Sequence, residues 1–88
     1  MSTTSTITLE KLRLLAEAGA VQQAELVGTA GGWRVSVQVG MSRRTLKAAR
    51  GLTVRTFRTT DAALNLLREA GVRHATVDQA GYSEAVPA

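Results

Sequence analysis

Cysteine is missing from this chain, so neither disulfides nor thiolate metal sites can brace it. Proline, tryptophan, tyrosine and phenylalanine each occur once. No apolar run approaches the length of a membrane-spanning helix. The opening MSTTSTITLE lacks the basic-then-apolar order of a signal peptide. These absences point to a cytoplasmic protein with no membrane partner. At 88 residues the chain makes one domain. A domain of this size buries a modest share of its surface, and nothing covalent helps it. Self-association, most simply as a homodimer, is therefore expected.

The most informative absence is of acids. The chain has seven Asp and Glu residues, yet none lies between Glu25 and Asp61. Over residues 26–60 the net charge is +7, while residues 1–25 carry −1 and residues 61–88 carry −2. The cations of this centre are Arg34, Arg43, Arg44, Lys47, Arg50, Arg55 and Arg58. Such segregation creates a field that attracts a polyanion. Guarding of sheet edges also explains exposed cations, but acids would serve that purpose equally well. The expected partner is a nucleic acid, DNA first, held through phosphate contacts by these seven side chains. The alternative is a small homo-oligomeric adaptor whose basic face binds an acidic protein.

Catalytic parts are scarce. His74 is the single histidine, and it shares strand parity with Asp78. A His–Asp pair is one reading, and a solvated edge residue is the plainer one. The AGG at 30–32 lacks the lysine and helix of a phosphate loop. No metal-ligand spacing is present. The chain is expected to be no enzyme and to need no cofactor or metal.

What is present is a legible pattern of elements. Thr8 is placed to cap a helix over about 9–18, with Ile7 and Leu12 as a hydrophobic staple and Gly19 as the stop. Its apolar face is Leu9, Leu12, Leu15 and Ala16, with Leu14 at the margin. A second helix runs from a Thr60 cap, with Asp61 in its first turn, to Gly71, on a stripe of Ala63, Leu64 and Leu67. LRLLAEAG at 12–19 and LNLLREAG at 64–71 resemble each other, and each precedes a short strand-like run, AELV at 24–27 and ATV at 75–77. An internal α–β repeat and chance likeness both fit. Trp33, Val35, Val37 and Val39 alternate with polar residues, as on a half-buried strand. TAGG at 29–32 turns this strand back on residues 21–28.

SRRTLKAARG at 42–51 is ambiguous. As a helix it would set Arg43 four residues from Lys47 with no acid to relieve them. A strand over 44–50, with RGL as the turn into a run at 54–58, is preferred. Trp33 is assigned to the core. Phe57 is also read as buried, the alternative being an outward ring beside Arg55 for stacking on bases. The fold class is α+β: an antiparallel β-meander with two amphipathic helices packed on one face, in the order α-β-β-β-β-α-β. Residues 1–7 and 81–88 are expected to be flexible ends around a domain at 8–80.

GWRVSVQVG, LKAARGLTVRTFRTTDAALNLL and EAGV together resemble small plasmid-borne, partition-associated accessory proteins. The likeness covers about residues 8–82. Its marks are Gly32-Trp33, Arg50-Gly51, Arg55 with Phe57, and the helix start at Asp61. It implies a plasmid maintenance or transfer context, with DNA or a DNA-bound protein as partner. It assigns no site residues.

Overall fold

The period-two pattern around Trp33 sets the centre of the molecule. In a computed structural model, which describes residues 5–51 and 53–83, this pattern is β3 (Gly32–Val39). Ahead of it come β1 (Ser5–Ile7), α1 (Leu9–Glu17) and β2 (Val21–Thr29). After it come β4 (Ser42–Leu46), β5 (Thr56–Phe57), α2 (Thr60–Ala70) and β6 (Thr76–Asp78). The sheet order is β1-β4-β3-β2-β6, with β5 also paired to β3.

The class is α+β, but the sheet is mixed and not an antiparallel meander. β2, β3 and β4 are antiparallel neighbours, whereas β1 joins β4 and β6 joins β2 in parallel. The observed order is β-α-β-β-β-β-α-β. The extra strand is β1, made from residues assigned by sequence to a frayed end. Three residues are too few to show a period, and Ser5 and Thr6 look like solvated chain. Ile7 opposite Leu46 holds the strand in place, both side chains being buried. At the other end, Tyr82 and Ser83 also belong to the folded unit, since Tyr82 stacks on Trp33 and Ser83 bridges to Ala30. The flexibility expected for residues 1–4 and 84–88 lies outside the described residues.

Both helices are crossovers between parallel strands. The first unit, β1-α1-β2, runs from the β1 edge to β2. The second, β5-α2-β6, runs from the line of β4 to β6, in the same direction across the sheet. Parallel crossovers share one hand, so both helices fall on the same face. The second unit is the first displaced by one strand position. Its ends match too. Thr8 accepts the Lys11 N–H at 3.3 Å, and Thr59 accepts the Ala62 N–H at 3.1 Å. Gly19 and Gly71 adopt φ of 73° and 96°. In each case the glycine and the next residue donate to carbonyls of the last turn: Gly19 to Ala16, Ala20 to Leu15, Gly71 to Arg68 and Val72 to Leu67. This paired closure requires a left-handed residue, which glycine adopts without a Cβ penalty. β2 and β6 then lie side by side, Leu26 opposite Val77.

Three local readings change. The cap of α2 is Thr59 and not Thr60, because Thr59 has the extended backbone a cap needs. The buried stripe of α2 is Ala63, Leu66, Leu67 and Ala70, while Leu64 is exposed. The strand expected over 44–50 is β4 at 42–46. Of the RGL turn, Arg50 and Gly51 lie in a bend, and Leu52 is outside the described residues.

The core fills the space between helices and sheet. Leu12, Leu26, Leu46, Leu67, Val35 and Val37 are fully buried. Trp33 and Phe57 are buried beside each other in register, as expected for a core assignment. Tyr82 lies parallel to Trp33, with ring centroids 4.6 Å apart. Gly28 permits this. A Cβ there would stand 2.6 Å from the Tyr82 Cβ and 3.0 Å from its Cα. Gly28→Ala should displace residues 81–83 and cost about 1–3 kcal/mol, as overpacking does. Emission from the single tryptophan should shift as Tyr82 leaves it. An unshifted spectrum with an unchanged melting temperature would contradict this packing.

Candidate nucleic-acid interface

The sheet face away from the helices is polar. Register places Thr76, Glu25, Ser36, Thr45 and Thr6 in one row across five strands. Asp78, Val27, Arg34 and Thr56 form a second row, and Gln23, Gln38 and Arg43 a third. Pleating turns these residues outward because their neighbours face the core.

The seven cations divide into two groups. Arg43 and Arg44 begin β4, at the end of the sheet where both helices finish. Arg43 donates from Nη1 to Glu25 Oε1 at 3.1 Å and to Ser36 Oγ at 3.2 Å. The acid-free stretch of sequence is thus not acid-free in space, since β2 returns Glu25 to it. Arg44 lies opposite Val37 and Ser5, on the helix side. It is half-buried, and its Nε is buried without a hydrogen-bond partner among the described residues.

The other five gather around a break in the sheet. Thr45 pairs with Ser36 and Thr56 with Arg34, positions only two apart on β3. Leu46 alone would span that step, so residues 47–51 and 53–55 lie off the line of the sheet. The excursion is a small hairpin. Lys47 bridges Val54, and the Ala48 N–H donates to the Thr53 carbonyl at 2.9 Å. Lys47 Nζ donates to the Gly51 carbonyl at 3.1 Å across the turn. Arg50 stands exposed at the tip. Arg55 closes the excursion, exposed, with its guanidinium 5.0 Å from the Phe57 ring centroid. Such a contact orients the charge without neutralising it. Arg34 is exposed on the polar face opposite Thr56, and Arg58 is exposed just before the α2 cap. None of Arg34, Lys47, Arg50, Arg55 and Arg58 is in an ion pair among the described residues, where the Arg43–Glu25 bridge stands alone.

Both helices start at this end. The Lys47 N–H donates to the Ile7 carbonyl at 2.9 Å, which sets the first turn of α1 beside the excursion. That turn carries Lys11, a cation outside the sequence-derived set, and also Glu10. The α2 first turn carries Asp61. Lys11 was invisible as a neighbour because a three-residue parallel strand brings it there.

The chain's three aromatic rings are engaged elsewhere. Trp33 and Phe57 are buried, and Tyr82 is half-buried against Trp33. A base-stacking platform is therefore not available from them. His74 is exposed, no bond joins it to Asp78 among the described residues, and Asp78 Oδ1 accepts the Ala80 N–H at 3.0 Å. Among the described residues no three His, Cys, Asp or Glu side chains cluster as metal ligands would, and no helix is long and apolar enough to cross a membrane. No protein-family model, curated protein or solved structure matches this chain, so the resemblance drawn above stands on its own residues.

Proposed function

We propose that the protein is a non-enzymatic, cytoplasmic nucleic-acid-binding accessory that grips duplex DNA by its phosphates. One observation carries the reading: Arg34, Arg50, Arg55 and Arg58, exposed and in no ion pair among the described residues, gather with Lys47 around the sheet break. Guanidinium forks match phosphate geometry and bind without reading sequence. The packed aromatic rings favour duplex over single strands, because single-strand binders draw much of their affinity from base stacking. The resemblance to partition-associated accessories supplies the context, plasmid maintenance.

The test is anisotropy titration of a labelled duplex and of its separated strand at low salt. The duplex should bind tighter, and unrelated sequences should bind about equally. Tighter binding of the single strand would refute the mode of contact. No binding to either would refute the reading and favour an acidic protein as partner.

A further inference from the structure

The bond from the Lys47 N–H to the Ile7 carbonyl, 2.9 Å long, ties the start of α1 to the base of the excursion. Lys11 lies in that first turn, exposed and in no ion pair among the described residues. Its direction follows from the residues that α1 commits to packing. Leu12 is fully buried toward the sheet. Ala16 faces the end of α2, since a Cβ at Gly71 would stand 3.6 Å from the Ala16 Cβ. At about 100° per residue, Lys11 projects roughly 140° around the axis from Ala16, on the flank away from α2. α2 leads on to β6 at the far edge, so that flank overlooks β1 and the end of β4. Arg13, also exposed, stands only about 60° from Ala16, on the α2 flank. The acids of the two first turns point elsewhere. Glu10 is about 160° from buried Leu12, and Asp61 about 160° from buried Ala63, so both are turned away from the sheet.

We propose that Lys11 is a further phosphate contact, and that the duplex lies across the end of the domain, from the excursion onto the β1-side flank of α1. The inference rests on the nucleic-acid reading and adds to it the direction in which the duplex runs. The competing path is the open sheet face, and its charges oppose it. That face carries Glu25 and Asp78, and its Arg43 is already bound to Glu25. A duplex laid there would meet both carboxylates. At the domain end, Lys11 instead continues the line of Lys47, Arg50 and Arg55 without an acid turned into it. The cap of α1 engages only the backbone of Lys11, whose N–H donates to Thr8 Oγ1 at 3.3 Å. The ammonium stays at the tip of a long flexible stem, a point charge suited to a phosphate and blind to base identity.

Duplex affinity measured against salt for the full-length wild type, Lys11→Ala, Lys11→Arg and Arg13→Ala tests it. Lys11→Ala should make the log–log slope shallower by about 0.9, the share of one phosphate contact. Lys11→Arg should keep the wild-type slope. Arg13→Ala removes the same charge from the same helix, yet it should leave the slope unchanged. Alanine suits a helix and the cap bond is kept, so Lys11→Ala should melt as the parent does. A Lys11→Ala slope equal to that of the wild type, or an equal loss in Arg13→Ala, would overturn the inference and leave the nucleic-acid reading standing. A wild type that binds no duplex at low salt would overturn both.

Discussion

Leu12→Ala is expected to lower stability by about 2–5 kcal/mol, a large share of what a small domain possesses. Leu12 is fully buried. It occupies the fourth helical position after the Thr8 cap, and Ile7 precedes that cap, so the two form the staple that fixes where α1 leaves β1. Ile7 is at the same time the strand residue paired with Leu46. Truncation therefore opens a cavity against the sheet and loosens the apolar anchor of β1. Leu15→Ala should cost less, because Leu15 is only half-buried. Leu14, 59% exposed, is the control, and its replacement should stay within about 0.5 kcal/mol. Urea midpoints of the three variants check the order. A Leu12→Ala midpoint equal to that of the parent would contradict the core as described.

The staple, the caps and the alternating strand were legible because each is a local rule. Thr8, Gly19, Gly71 and the Trp33–Val39 alternation are read within one element. The mixed topology was not legible, because it rests on partners far apart in sequence. β1 and β6 have three residues each, too few to declare parallel pairing. The likeness of LRLLAEAG and LNLLREAG was the one hint of two equivalent crossovers, and a crossover implies parallel strands. The buried face of α2 takes Leu66 in place of Leu64, because a run of closely spaced leucines satisfies both choices. The charge map was legible in amount but not in distribution. A sequence shows seven cations without an acid among them. It does not show that Glu25 comes back to Arg43, that Arg44 turns toward the helices, or that residues 47–51 bulge from the sheet and carry Arg50 outward.

That distribution makes the second large effect asymmetric. Arg50→Ala, Arg55→Ala and Arg58→Ala together should cripple DNA binding. Arg43→Ala with Arg44→Ala should change it little, because the first is already paired with Glu25 and the second is half-buried. The Arg43/Arg44 variant is instead expected to lose stability, through the lost bridge to Ser36 and Glu25. Both variants should act alike on all DNA sequences, since phosphate contacts carry no base information.

The salt dependence of duplex binding by the wild type and the Arg50/Arg55/Arg58 variant tests the central claim most directly. Each phosphate contact on duplex contributes about −0.9 to the slope of log affinity against log salt. Four such contacts weaken binding roughly 150-fold between about 50 and 200 mM salt. The account predicts a wild-type slope near −3.6 or steeper and a slope shallower by about 2.7 in the variant. Equal slopes in the two proteins, or a wild type that binds no DNA at low salt, would contradict it.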